Sequence, residues 1–243
     1  MFDHVTIRVS DRAASESFYD TVLGVLGIAK STGDFAEWGD FSIAPATADS
    51  PPTQHLHIGF VAASQDDVDE FWRVGVDAGY VDDGPPGPRP EYDPDYYGAF
   101  LLDPDGNSAE AVHHGDGRER DSIDHVWMRV PDLEASRRFY DLVAPFGGFS
   151  AGSGDAGRVS FRGTRGSFTI VPGPATSNVH LAFPTTENVT VDAFHAAATS
   201  AGYRDNGGPG ERPIYHTGYY GAFVLDPDGH NVEVVNHNRG GDV

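Results

Sequence analysis

The 243-residue chain contains no cysteine. Disulfides, thiolate nucleophiles and thiolate-bound metals are therefore excluded, and any metal must be held by nitrogen and oxygen donors. Lysine is nearly absent as well: Lys30 stands alone beside fifteen arginines, and the formal net charge is −21. A surface so acidic repels phosphate backbones and anionic lipid, so the expected partner is a small molecule, with no nucleic acid and no membrane. No apolar run approaches the roughly 20 residues that span a bilayer. The opening M-F-D-H-V-T-I-R-V alternates like a strand and lacks the basic and apolar regions of a signal peptide, which leads to the expectation of a soluble cytoplasmic protein. At 39% hydrophobic and 22% charged residues, the composition decides against disorder and leaves one or two domains open.

What the chain does have is a repeat. D-H-V-T-I-R-V at residues 3–9 returns as D-H-V-W-M-R-V at 124–130. Phe18-Tyr19-Asp20 returns as Phe139-Tyr140-Asp141, Y-Y-G-A-F at 96–100 returns at 219–223, and D-P-D-G at 103–106 returns at 226–229. Two copies thus cover nearly the whole chain, as domains 1–117 and 121–243, with a seam in the Gly- and charge-rich stretch Gly115–Asp121.

Each copy also divides in two. His4–Val9 alternates with Val5, Ile7 and Val9 on one face, the period of a strand. Asp11 offers an N-cap to a helix through about Leu26 with an apolar stripe of Ala14, Phe18, Val22 and Leu26. A short strand is expected near Phe41–Ala44. The cycle restarts with a strand at Leu56–Val61, Ser64 as cap, and a helix carrying Val68, Phe71, Trp72 and Val76; strands near Gly98–Leu102 and Ser108–His113 then flank the D-P-D-G turn. The second copy follows suit, with strands at His125–Val130 and Val179–Phe183 and helices beginning near Asp132 and Thr186. The fold class is α+β: paired βαβββ units, eight strands per copy, forming cup-shaped mixed sheets with the helices outside.

The first strand of each half-copy contains a histidine, His4 and His57 in copy one, His125 and His180 in copy two. The last strand of each copy contains a glutamate, Glu110 or Glu233. If the two half-copies of one copy lie side by side about a pseudo-twofold axis, His4, His57 and Glu110 meet on one cup floor and His125, His180 and Glu233 on the other. Two imidazoles and a carboxylate hold a divalent metal while leaving positions open to substrate, as a catalytic site requires. Taken singly, each of these residues reads more readily as an ordinary strand histidine or solvated glutamate; the matched positions bring the metal level with that reading, and spacing alone leaves the two open.

The combined pattern D-H-V-x-x-R-V-x-D…F-Y-D, H-[IL]-[GA]-F and Y-Y-G-A-F-x-L-D-P-D-G-x-x-x-E resembles the vicinal oxygen chelate superfamily, which includes glyoxalase I, bleomycin-resistance proteins, fosfomycin-resistance enzymes and extradiol dioxygenases. The resemblance implies cup-shaped sheets with metal on the floor, held by the six residues already singled out. It leaves the metal open among zinc, nickel, manganese and iron(II). It also implies a monomer whose tandem copies imitate the dimer of single-copy relatives, or a homodimer.

Two departures narrow the reaction. Glyoxalase I adds a glutamate on its fourth strand, whereas Phe41–Ala44 and Phe168–Val171 contain no carboxylate; Asp40 just precedes the first segment, and Ser167 takes its place in copy two. Extradiol dioxygenases place a tyrosine three residues before the D-P-x-G turn, whereas this chain has Phe100 and Phe223. The leading expectation is a metal-dependent enzyme of glyoxalase-like type, working as a lyase or isomerase through an enolate or oxyanion on a small oxygenated molecule. The alternatives are an iron(II) ring-cleaving dioxygenase and a non-catalytic drug-sequestering resistance protein. Tyr92, Tyr215 and His216 are the candidate catalytic bases, with Asp93 standing where His216 does in the other copy. Arg8, Arg129, Tyr97 and Tyr220 are the candidate substrate-binding residues. His114 and His237, four residues beyond the glutamates, lie roughly 13 Å along the strand and are too distant to share the metal.

Overall fold

The computed structural model describes residues 1–33, 35–115, 121–152 and 157–238. Four units follow one another. The first comprises β1 (His4–Val9), α1 (Arg12–Val25), β2 (Ala36–Trp38) and β3 (Phe41–Pro45); the second β4 (His57–Val61), α2 (Gln65–Asp77), β5 (Val81–Pro88), β6 (Tyr96–Leu102) and β7 (Ser108–His114). The third comprises β8 (Ile123–Val130), α3 (Leu133–Gly147), β9 (Ser150–Ala151), β10 (Val159–Arg162) and β11 (Ser167–Pro172). The fourth is β12 (Val179–Pro184), α4 (Asn188–Ser200), β13 (Arg204–Glu211), β14 (Tyr220–Leu225) and β15 (Asn231–Asn236). The α+β class and the repeated units are as the sequence implies. Among the described residues the first unit forms two strands after its helix rather than three.

Three helices start where the sequence supplies a cap. The carboxylate of Asp11 accepts from the Ala14 amide at 3.0 Å, Ser64 Oγ from Asp67 at 3.1 Å, and Asp132 from Ala135 at 2.9 Å, each contributing about 1 kcal/mol. The fourth helix starts after Glu187 without a side-chain cap. On α1 the face carrying Phe18, Tyr19, Val22 and Leu23 is buried, at roughly 1.5–3 kcal/mol for each large side chain. The two repeated motifs F-Y-D and D-P-D-G meet: the Tyr19 hydroxyl donates to Asp103 at 3.0 Å and that of Tyr140 to Asp226 at 2.9 Å. Gly106 and Gly229 close the D-P-D-G turns at φ of 86° and 89°, a left-handed conformation that favours glycine. Among the described residues no helix is long and apolar enough to cross a membrane.

The sheets do not follow the repeats. One has seven strands in the order β13-β14-β15-β12-β1-β3-β2, and the other has eight in the order β5-β6-β7-β4-β8-β11-β10-β9. The first sheet therefore joins the first unit to the fourth, and the second sheet joins the second to the third. The division at 117/121 separates two sequence copies, but neither copy closes a sheet alone, and residues 116–120 of the seam lie outside the described residues. The joints are antiparallel: β1 against β12 with His4 opposite Ala182, and β4 against β8 with Gly59 opposite His125. Helices pack on one face of each sheet, α1 against α2 and α3 against α4, and the buried side chains between form one large continuous cluster. The opposite face of each sheet lines a cavity.

Candidate metal centres

Alternation along each strand sends apolar residues into the core and leaves the intervening side chains facing the cavity. On β1, Val5, Ile7 and Val9 are buried, while His4, Thr6 and Arg8 line the cavity of the first sheet. The joint at β1–β12 brings His4 Nε2 to 3.1 Å from His180 Nε2, and Glu233 Oε2 of β15 lies 3.0 Å from His180 and 3.8 Å from His4. In the second sheet His57 Nε2 lies 3.0 Å from both His125 Nε2 and Glu110 Oε2, with His125 to Glu110 at 3.3 Å. All six expected residues converge, but in crossed sets: His4 with His180 and Glu233, and His57 with His125 and Glu110. The grouping expected from the repeats, His4 with His57 and His125 with His180, is overturned. Its physical reason is that β1 pairs with β12 and β4 with β8, so the first-strand histidines are exchanged between copies.

The outer partners fix which atoms face inward. Asp3 Oδ1 lies 2.8 Å from His4 Nδ1 and Asp124 Oδ2 2.8 Å from His125 Nδ1. A carboxylate there accepts a hydrogen bond from Nδ1–H, which keeps the ring proton on Nδ1 and turns the Nε2 lone pair toward the centre. Ser108 donates to Asp83 at 2.7 Å and so accepts from His57 Nδ1 at 3.2 Å, while Asn231 contacts His180 Nδ1 at 2.5 Å. The hydroxyls of Tyr96 and Tyr219 donate to Oε1 of Glu110 and Glu233, each at 2.7 Å, leaving Oε2 for the centre. In the His4 centre Nδ2 of Asn231 donates to His180 Nδ1, so His180 Nε2 carries the ring proton toward Glu233. In the His57 centre two imidazole nitrogens and the Glu110 oxygen face one point with their lone pairs. Such a set is repulsive unless a cation or a proton lies among them, and it fits a divalent metal.

The electrostatics agree. Burial alone raises the carboxyl of Glu110, but the hydrogen bonds and charge of His125 and His57 outweigh it and hold it down to about 2. Burial disfavours charge on His125, yet Asp124 and Glu110 together push it up to about 10. The second centre thus gathers positive charge strongly. In the other centre burial keeps His180 below the usual imidazole range, whereas Asp3 and Glu233 raise His4 against its own desolvation. Asp3 and Asp124 are both lowered, against burial, by the imidazoles they face.

Three glycines leave room for this arrangement. A Cβ at Gly98 would stand 2.4 Å from Glu110 Oε1, one at Gly221 2.5 Å from Glu233 Oε1, and one at Gly59 2.4 Å from the His125 ring. The register also identifies the fourth position. Glu233 lies opposite Ala182, two residues past His180, and Glu110 opposite Gly59, two past His57. The corresponding partners of Thr6 and Trp127 are Ser42 and Thr169. Hydroxyls therefore occupy the places where a second carboxylate would stand, in line with the missing fourth-strand glutamate, and one side of each centre is left without a second anionic donor.

The remaining expected site residues divide. Arg8 and Arg129 line the two cavities. Tyr92 and Tyr215 stand at the mouths, 54% and 48% exposed, with Tyr92 against Tyr96 and Trp127 and Tyr215 against Tyr219 and Phe35. His216 is tied to His237 at 2.7 Å, His237 to Asp3 at 2.6 Å, and Asp3 to His4, so it ends a chain of hydrogen bonds leading from an imidazole of the donor set. Tyr97 and Tyr220 turn away from the cavities and donate to Asp69 on α2 and Asp192 on α4, each at 2.8 Å. Their neighbours Tyr96 and Tyr219 are the inward members of each pair, a role the sequence reading missed. Parity carried the signal, because Phe100, four residues past Tyr96, faces His57 at 5.9 Å between ring centres. His114 and His237 are not donors to the centre, as their distance implied, but His114 contacts Asp124 at 3.3 Å.

The model of the Glyoxalase/Bleomycin resistance protein/Dioxygenase superfamily matches residues 1–111 and again 122–234. A comparison with curated proteins gives no significant match. Among solved structures, glyoxalase I from Zea mays is similar over 97% of this chain and 92% of its own, with 20% identity and a TM-score of 0.65. A Bacillus subtilis protein named as a "putative dioxygenase" is similar over 98% of this chain and 86% of its own, with 14% identity and a TM-score of 0.67. At these identities the likeness is one of fold.

Proposed function

The chain belongs to the Glyoxalase/Bleomycin resistance protein/Dioxygenase superfamily, and on that premise we propose that it is a divalent-metal-dependent enzyme acting on a small molecule with oxygens on adjacent carbons. One observation carries the proposal: in each cavity two imidazole Nε2 atoms and a carboxylate oxygen face one point, each already oriented from outside by an acid, amide or hydroxyl partner. A purely sequestering pocket gains nothing from burying three such groups. A metal held there supplies a Lewis acid that stabilises an enolate or oxyanion. Tyr96 and Tyr219 keep their hydroxyl protons, since burial and the neighbouring glutamate raise both well above the usual phenol range; they orient the carboxylates and do not act as bases. Tyr92 and Tyr215 at the mouths are the groups positioned to meet a bound substrate. Lyase or isomerase chemistry is the leading reading.

A second reading, iron(II) ring cleavage, is favoured by the two-histidine, one-carboxylate set with Ser42 and Thr169 in the fourth positions. Phe100 and Phe223 beside His57 and His180 offer no hydroxyl to a catecholate and place it second. Cobalt(II) substitution tests the proposal. Addition of an α-hydroxyketone or a catechol is expected to shift the visible cobalt bands, and Glu110→Ala with Glu233→Ala to abolish both bands and shift. Cobalt binding that survives the double variant contradicts the proposal. Oxygen consumption with catechol and iron(II) selects the second reading over the first.

A further inference from the structure

The two centres hold the same donors, yet the strands beside them carry opposite charge. In the second sheet the register sets three rows across β8, β11 and β10: His125, Ser167 and Arg162; then Trp127, Thr169 and Ser160; then Arg129 and Val171, followed one step beyond by Arg158. All of these line the cavity that contains His57 and Glu110. In the first sheet, with the register extended one residue at either end, the same rows across β1, β3 and β2 read His4, Asp40 and Gly39; Thr6, Ser42 and Glu37; and Arg8, Ala44 and Phe35. The arginine of the first strand is common to both. Arg162 and Arg158 stand where the other cavity has Gly39 and Phe35, and Ser160 where it has Glu37. One wall thus carries three guanidinium groups and no carboxylate, and its counterpart one guanidinium against two carboxylates.

In a chain of net charge −21, such a concentration of guanidinium has a local electrostatic consequence, because a cleft focuses the field of its lining charges. Among the described residues Arg129, Arg158 and Arg162 have no ion-pair partner, while Arg165 at the same rim is paired with Asp121 at 3.1 Å. Arg89 is committed to the carbonyls of Pro85 and Pro88 and lies over the Phe100 ring. Of the other acids of this cavity, Asp124 on β8 is engaged by His125 and His114, and Asp83, Glu91 and Asp93 stand on β5 and the loop after it, at the far edge of the sheet from β10. Arg162 is two strands from His125, roughly 10 Å at the usual strand spacing, the span of a small molecule with one end at the centre.

We infer that the His57–His125–Glu110 cavity takes a small molecule bearing a carboxylate or phosphate group, held by Arg129, Arg158 and Arg162. Guanidinium groups suit such oxyanions through paired N–H donors. The inference deepens the proposed function by naming a substrate class for one of its two sites, but the anion preference is readable without metal. Trp127 lies in this wall and supplies the reporter, Thr6 being its counterpart in the other cavity.

The test is fluorescence quenching of the full, metal-free chain at low ionic strength by iodide and by caesium, with Trp127→Phe subtracted to isolate Trp127. Iodide is expected to quench Trp127 at least about threefold more effectively than caesium despite the acidic protein. Arg158→Gln with Arg162→Gln, both at exposed positions, is expected to remove that preference while circular dichroism stays unchanged. Inorganic phosphate and malonate are then titrated against iodide in the wild type; displacement by either supports the inference, and the stronger identifies the head group. Equal or better quenching by caesium, an iodide preference that survives the double variant, or no displacement by either anion would overturn it. A chain that shows the iodide preference but binds no metal refutes the proposed function and leaves the anion site standing.

Discussion

Nε2 of His4 lies 3.1 Å from Nε2 of His180, 176 residues further along the chain, and His57 meets His125 at 3.0 Å. Each contact is made across the strand joint between sequence copies. A complete donor set therefore needs both copies, and so does a closed sheet.

A fragment of residues 1–117 leaves the joining edges of β1 and β4 unpaired. Exposed edges of this kind recruit another strand. The fragment is expected to associate, with β1 of one molecule against β4 of another, and to run at about twice its own mass in light scattering. A well-folded monomer at micromolar concentration would contradict the pairing described above.

Tyr96→Phe and Tyr219→Phe remove the hydroxyl that holds Glu110 or Glu233 in place while keeping the ring. Loss of an orienting partner of this kind weakens metal binding by about 10–100-fold. Tyr97→Phe and Tyr220→Phe, whose hydroxyls face α2 and α4, are expected to leave metal affinity unchanged. Competition titration with a coloured chelator measures all four.

At Gly98 an added methyl would approach the inner carboxylate to 2.4 Å, and at Gly221 to 2.5 Å, with the carboxylate end of a buried, hydrogen-bonded side chain as the group that must yield. Gly98→Ala is expected to cost the Glu110 centre its metal and Gly221→Ala the Glu233 centre, one equivalent each, with thermal unfolding lowered by only a few degrees. Full metal content in either variant would show that the glutamate has room to move.

Asp40, a wall residue of the His4 cavity outside its donor set, gives a pH signature of its own. Burial pushes its carboxyl up from 3.8 to about 6, with backbone hydrogen bonds, including that from Ile123, opposing. Below the unfolded value the acid is protonated in both states and carries no penalty. As pH rises from about 4 to about 6 the unfolded chain ionises first, so stability falls and then levels off. A rise of that size corresponds to about 3 kcal/mol, reduced to about 1–2 kcal/mol by the partial exposure of the group. Asp40→Asn, which keeps an acceptor for Ile123, is expected to raise stability by that amount near pH 8 and by nothing near pH 3.5. Urea unfolding of both proteins at the two pH values decides the matter.

Much of this was legible in the sequence. Repetition of D-H-V, F-Y-D and D-P-D-G located the four units, and Asp11, Ser64 and Asp132 marked three helix starts. His4, His57, Glu110 and their counterparts stood out because chemistry recurred at matched positions. The partnering was not legible, for a physical reason. His4 and His125 occupy equivalent strands, so exchanging them between copies preserves every local contact and leaves no trace in spacing. The tyrosine error was of a different kind, since counting in twos from Phe100 points to Tyr96. Asp3 and Asp124 sat in the quoted motif itself, but their hold on Nδ1 emerges only once the imidazoles are turned toward the joint.

The crossed pairing is tested most directly by counting bound metal in two double variants of the full chain. His4→Ala with Glu233→Ala damages one centre and is expected to retain about one metal per chain; His4→Ala with Glu110→Ala damages both and is expected to retain none. The reverse result, one metal kept by the second variant and none by the first, would place His4 with Glu110 and contradict the account.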